Sequence, residues 1–180
     1  TLVIVTHPNI HDSMVSKTWV HMLRQHPDRF TVHELYSKYP DGVIDVEREQ
    51  ALVEEHQNIV LQFPVYWFNC PPLLKQWCDE VLTYGWAYGS KGKAFENKKL
   101  GIAVSLGAPA SEYSAEGSVG YTVAETLRPF ELTANYISAN YQPLFTFHTI
   151  DTYESYDEAA AQLVADSADD YLAHLNTYYT

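Results

Sequence analysis

Apolar positions along this chain fall either in short unbroken runs or at helical spacing, and the two kinds of segment alternate. Leu2 to Thr6 is an unbroken run of the kind a strand buried on both faces requires, and Ser13 to His26 follows at helical spacing. Phe30 to Leu35 alternates as a second strand, "YPDG" at 39–42 marks a turn, and Asp45 to Gln57 reads as an acidic surface helix before a third strand, Asn58 to Phe63. Pro71 and Pro72 sit where a helix start tolerates missing N–H groups; Leu74, Trp77, Cys78, Val81 and Leu82 then recur at helical spacing, with Gly85 as the stop. Lys99 to Leu106 supplies a fourth strand. Val119 to Ser138 reads as a helix interrupted or bent at Pro129, Tyr141 to Thr149 as a fifth strand, and Tyr153 to Tyr178 as the final helix.

Strands alternating with helices demand right-handed crossovers onto a parallel sheet. Five strands in 180 residues predict an α/β three-layer sandwich, a flavodoxin-like sheet of order 2-1-3-4-5 with helices on both faces, as one domain over residues 1–180. Ligands of such sheets lie beyond the carboxyl ends of the strands at the switch in strand order, so the loops after strands one, three and four carry the chemistry. These are "THPNIHDSMVS", "FPVYWFNCPP" and "SLGAPASEYS".

The first loop lacks both G-x-G-x-x-G and the Walker pattern, leaving a helix start as its main feature. Ser13 can cap that helix while the N–H groups of Met14, Val15 and Ser16 point outward, a site for an anion such as phosphate to which His7 could also donate. The plainer alternative is that Ser13 only caps and His7 is a loop residue. No further ligand at metal spacing joins His7 and His11, so no metal is expected. The second loop sets Tyr66, Trp67 and Phe68 in a row on a connection. Bound to a flat conjugated ring, those side chains would wall it while the three amides, freed by Pro64, reached its polar rim; the alternative is a core cluster, which three consecutive loop side chains cannot all join. In the third loop Gly107 allows close approach of a ligand, and Tyr113 offers a hydroxyl.

A net charge of −12 speaks against a nucleic-acid partner, so a bound phosphate must be held by backbone amides. Hydrophobic residues make up 46% of the chain, yet no stretch approaches the roughly 20 apolar residues of a membrane span. Thr1 runs straight into the first strand without a secretory leader, so a soluble cytoplasmic protein is expected. Cys70 and Cys78 are too far apart on a helix for a disulfide and read as buried packing residues. Tyr171 to Tyr179 reads as helix packing and a frayed terminus, and His148 as a polar strand end.

Three segments resemble a known family, the flavodoxin-like NAD(P)H:quinone oxidoreductases, including small bacterial members and the ancillary subunits of glutathione-gated potassium efflux. They are "HPNIHDSMVS" at 7–16, "FPVYWFNCPPLLKQWCDEVLTYGWAYG" at 63–89, the longest and most specific, and "LRPFELTANYISANYQPLFTFH" at 127–148. The resemblance implies a flavin with its phosphate at His7, Ser13, Met14, Val15 and Ser16, and its ring against Pro64, Val65, Tyr66, Trp67 and Phe68. Ser105, Leu106, Gly107 and the catalytic Tyr113 would face the ring's far side. It also implies a homodimer in which Trp86 and Tyr88 enter the partner's site, and a ping-pong hydride transfer from NAD(P)H through the flavin to a quinone. Chain length favours FMN over FAD. A second reading is a flavin-bearing regulatory subunit docked peripherally on a membrane transporter; a third, electron-transfer flavodoxin, is opposed by a first loop without a Ser/Thr-rich cradle. The chain departs from the family in having Ser16 for the usual Asn, "SLGA" for Thr-Thr-Gly-Gly, and no histidine between Tyr113 and Arg128. Tyr113 is left to act alone, through water, or with a residue from elsewhere.

Overall fold

A computed structural model describes residues 1–148 and 157–179. The strands are β1 (Leu2–Val5), β2 (Thr31–Glu34), β3 (Asn58–Pro64), β4 (Lys99–Leu106), β5 (Asn140–Tyr141) and β6 (Phe145–His148). All strand pairs are parallel, in the order β2-β1-β3-β4-β5, with β6 also on β4. The helices are α1 (Met14–Arg24), α2 (Leu35–Lys38), α3 (Val46–Glu54), α4 (Pro72–Val81), α5 (Val123–Thr126), α6 (Arg128–Tyr136) and α7 (Glu158–Tyr178). Among the described residues no helix is long and apolar enough to cross a membrane.

Strand alternation divides the core into two layers. Leu2, Ile4, Leu61, Phe63, Ile102 and Val104 face α3, α4 and α6, while Val3, Val5, Val60 and Ala103 face α1 and α7. Trp19 seals the α1–α7 seam: its indole N–H donates to Ser167 Oγ (2.9 Å), and Tyr171 and Phe145 pack on its ring. The expected sheet order and flanking helices are all present.

Element ends differ where capping or proline decides them. Ser13 and Asp45 stand outside their helices as N-caps, each side chain accepting an amide of the first turn. The α4 helix stops at Val81, before Gly85, and the region expected as one helix from Val119 divides into α5 and α6 at Leu127, with Pro129 in the first turn of α6. The short α2 replaces the end of the second predicted strand. The starting residues 153–156 of the expected last helix and Thr149 of the expected fifth strand lie outside the described residues. Tyr179 is not frayed: its carbonyl accepts from Asn58 Nδ2 (2.8 Å), and its ring is buried.

The expected fifth strand is instead two. Leu100 pairs with Tyr141 and Ala103 with Phe145, so three steps along β4 are matched by four along the edge. The extra residue falls at Gln142–Leu144, where Pro143 has no N–H for the ladder. Such an insertion reverses which side chains face which layer beyond it. Tyr141 packs on the layer that includes Leu100 and Leu106, Phe145 and Phe147 on the opposite one, and His148 pairs with Leu106.

Beneath α3, expected as an acidic surface helix, lies a buried carboxylate. Glu49 is fully buried and accepts hydrogen bonds from His33 Nε2 (2.8 Å), Tyr39 OH (2.6 Å) and Trp77 Nε1 (2.8 Å). Burial pushes its carboxyl up, but the hydrogen bonds from His33 and Tyr39, the His33 charge and the Trp77 hydrogen bond together hold it below the usual range.

Candidate functional site

The β1–α1 loop opens where the sheet order reverses. Thr6 N–H continues the ladder onto Gln62 O (2.8 Å), and His7 then leaves the sheet. His7 Nδ1 accepts the Asn9 N–H (3.1 Å), which places the proton of the neutral ring on Nε2, and burial lowers its pKa and favours that neutral form. His7 therefore presents an N–H donor at the loop. Ser13 Oγ accepts from Ser16 N–H (3.0 Å), so of the three amides expected to be open, Ser16's is consumed by the cap. Those of Met14 and Val15 remain as the ones the helix cannot satisfy itself. Ser16 is buried, and one cation missed in the sequence, Lys17, reaches back to the His11 carbonyl (3.2 Å).

In the second loop Val65 N–H donates to Ser105 O (2.9 Å), and Tyr66 and Asn69 exchange both backbone hydrogen bonds (2.8 and 3.0 Å). Between them Trp67 (φ 48°) and Phe68 (φ 61°) both take left-handed backbone, the form of a two-residue type I′ turn. That turn favours Asn-Gly, and two large aromatics there carry about 1–2 kcal/mol of strain each. Tyr66, Trp67 and Phe68 are 41%, 93% and 50% exposed, which excludes a core cluster. The expectation of three free amides is corrected here too: Tyr66's is spent on Asn69, leaving those of Trp67 and Phe68 at the tip.

The third loop leaves β4 at Leu106, whose side chain is buried, so any ligand contact there falls to its backbone. The face of Gly107 is open: an added Cβ would meet nothing within 4 Å. Tyr113 is half-buried, with its hydroxyl pKa raised by burial and by the charge of Glu112. The His148 ring stands 5.8 Å from the Tyr113 ring, and His148 Nδ1–H donates to Ala108 O (3.0 Å). A cleft of about 690 Å³ runs between the second and third loops, lined by Phe68, Ala108, Glu112, Tyr113, Tyr121 and Glu125. Phe68 and Tyr113 thus share one cavity. Tyr121, Glu112 and Glu125 also line it, and nothing in their local spacing marks them.

A family model described as a flavodoxin-like fold matches residues 1–175. The chain belongs to this family. Over 146 residues, 81% of this chain and 83% of the relative, it is 53% identical to an uncharacterized NAD(P)H oxidoreductase, YrkL, of Bacillus subtilis (strain 168). The solved structure of general stress protein 14 of Treponema denticola in complex with FMN is 63% identical, with TM-score 0.93 over 98% of this chain and 97% of that one. An NADPH-quinone reductase of P. pentosaceus is 32% identical, with TM-score 0.79 over 94% and 95%. The resemblance to flavodoxin-like oxidoreductases is borne out.

Within this flavodoxin-like chain, Trp86 and Tyr88 are held by other residues of the same chain. The Trp86 indole N–H donates to Glu54 (2.6 Å) and its ring packs edge-on to Phe95, while Tyr88 packs between Tyr84 and Tyr136. Tyr84, Leu132 and Tyr136 are exposed beside them. Cys70 and Cys78 are free and only half-buried rather than fully so, and burial pushes the Cys78 thiol up to about 12. Among the described residues no group of three metal-ligating side chains forms.

The residues present suit a flavin mononucleotide. Thr6 Oγ1 and both ends of the Gln62 amide are buried without a partner among the described residues, at the carboxyl edge of the sheet where the first loop departs. Buried polar groups call for a hydrogen-bonding partner. Two open amides, a neutral His7 donor, an exposed aromatic turn and the bare face of Gly107 surround that edge.

Proposed function

We propose that this chain is an FMN-dependent NAD(P)H:quinone oxidoreductase. The observation that carries the reading is the left-handed Trp67-Phe68 turn held out over a cleft shared with Tyr113. A fold gains nothing from placing its largest side chains in strained, exposed positions unless something covers them, and the cleft they share with Tyr113 suits a flat ligand. The FMN-bound relative, similar over nearly the whole length of both chains, supports FMN over FAD.

Bound FMN would accept a hydride from the reduced nicotinamide and pass it to the quinone; with one proton from solvent, NAD(P)H and quinone become NAD(P)⁺ and hydroquinone. The residues of the chain hold and polarise. His7 Nε2–H and the Met14 and Val15 amides would hold the phosphate, with the α1 dipole favouring its charge. Pro64, Val65, Tyr66, Trp67 and Phe68 would wall the ring on one side, with Ser105, Leu106 and Gly107 near its edge. Tyr113, kept protonated by its burial, would donate a hydrogen bond where negative charge builds up. His148, its orientation set by the bond to Ala108 and its ring 5.8 Å from that of Tyr113, would be the group that assists Tyr113.

The exposed face of Tyr84, Leu132 and Tyr136 suits the expected homodimer. Light scattering should give twice the chain mass, and Leu132→Glu with Tyr136→Glu should give monomers.

The test is direct. Protein incubated with riboflavin phosphate and desalted should be yellow, bleach with NADPH and regain its colour with benzoquinone; protein that retains no flavin, or retains it without turnover, would refute the reading. In active protein, Tyr113→Phe and His148→Gln should each lower kcat by about 100-fold, the low end of proton-donor contributions, with flavin content unchanged by absorbance.

A further inference from the structure

Among the described residues, the acidic and basic side chains lining the cleft beside Tyr113 are all acidic. Its walls are aromatic, from Phe68, Tyr113 and Tyr121, and its acidic side chains are Glu112 and Glu125. Among the described residues no Lys, Arg or His belongs to the lining. Both carboxylates are fixed in place. Glu112 accepts from Ser118 Oγ (3.0 Å), and its backbone carbonyl accepts from Val119 N–H (3.1 Å), closing the loop that holds it. Glu125 closes a capping box at the start of α5, accepting from Thr122 N–H and Thr122 Oγ1–H (both 2.8 Å), which also lowers its pKa. Outside the lining, Arg128 pairs with Glu131 (3.3 Å), and its charge also reaches Glu125.

We propose that Glu112 and Glu125 are specificity-determining residues that admit uncharged and cationic planar aromatic acceptors and reject anionic ones. The inference rests on reading this cleft as the acceptor pocket. Aromatic walls favour any flat ring, through apolar contact and through the attraction of a ring face for cations. Two fixed negative charges at the rim add attraction for a cationic ring and repulsion for a sulfonated or carboxylated one, strengthened by the low-dielectric wall beside them. The net charge of −12 works in the same direction at longer range, but salt screens that part within about 8 Å at physiological ionic strength. A preference set by the cleft itself is therefore only partly removed by salt.

Two measurements separate this inference from the reductase reading. The first is binding alone: calorimetry of the flavin-loaded protein with N-methylquinolinium and with naphthalenesulfonate, two bicyclic rings of like size and opposite charge. The cation is expected to bind at least about tenfold more tightly at low salt, a difference of about 1.4 kcal/mol. Glu112→Gln and Glu125→Gln, which preserve the Ser118 contact and the capping box, should together bring that ratio to within about threefold. Asp169→Asn, on α7 against the opposite face of the sheet, should leave it unchanged. The second is turnover of benzoquinones bearing a sulfonate or a trimethylammonium group, whose kcat/KM ratio should follow the binding ratio. Equal affinities, tighter sulfonate binding, or a ratio that Asp169→Asn lowers as much as the glutamate changes do would overturn the inference even if quinones are reduced. Absence of any turnover with the binding preference intact would instead refute the reductase reading.

Discussion

Replacing Glu49 with leucine is expected to destabilise the fold by about 3–5 kcal/mol, the usual loss when one partner is removed from a buried charged cluster. The leucine fills the space, but Trp77 Nε1–H, Tyr39 O–H and His33 Nε2 all lose their acceptor together. Those donors come from α4, from the segment after α2 and from β2, so the carboxylate ties two elements and a connecting segment to α3. For a chain of this length the melting temperature should fall by roughly 10 °C, at about 2–4 °C per kcal/mol. Glu49→Gln keeps one acceptor oxygen and should lose less. Acid titration adds an independent readout. Glu49 is held below its ordinary range in the folded chain, so its contribution is complete above the unfolded carboxyl value of about 4.3 and is lost as pH falls through the lower folded value. Glu49→Gln should flatten that acid limb. A loss under about 1 kcal/mol for Glu49→Leu, by urea melts at pH 7, would show that the cluster adds little to stability.

The second large effect runs the other way. Substituting Trp67→Asn together with Phe68→Gly installs the residue pair that a type I′ turn prefers and should stabilise the protein without ligand by about 1–3 kcal/mol. The same change should weaken flavin binding by about 10–100-fold, about 1.4–2.8 kcal/mol, because the exposed aromatic wall is gone. Stability gained and affinity lost in one variant is the signature of strain retained for a site. Thermal melts of flavin-free protein and a fluorescence titration with riboflavin phosphate measure the two halves. A variant that melts no higher and binds flavin as before would remove the physical basis assigned to this loop.

Much of this site was legible because it lies on consecutive residues. Ser13 and the α1 start, Pro64 through Phe68, and Gly107 each sit in one loop, and alternating strands and helices place those loops at one edge of the sheet. What could not be read locally was how each donor is used. The amides of Ser16 and Tyr66 look free in sequence and are consumed, one by a cap and one by a hairpin pair. Glu49 lies in an acidic run, and only its distant donors explain why it is inside.

The sequence by itself determined the alternation of strands and helices, the two-faced core and the aromatic connection, since period and turn chemistry are local properties of the chain, and the crossover rule then led to the strand order. His148 is the case that only tertiary structure decided. Along one unbroken strand, Tyr141 and His148 are an odd number of residues apart and face opposite layers. One extra residue on the edge, inserted beside Pro143, brings both to the same layer and sets His148 next to Tyr113. The register of an edge strand depends on what its neighbour pairs with, a long-range contact that no spacing within the strand records.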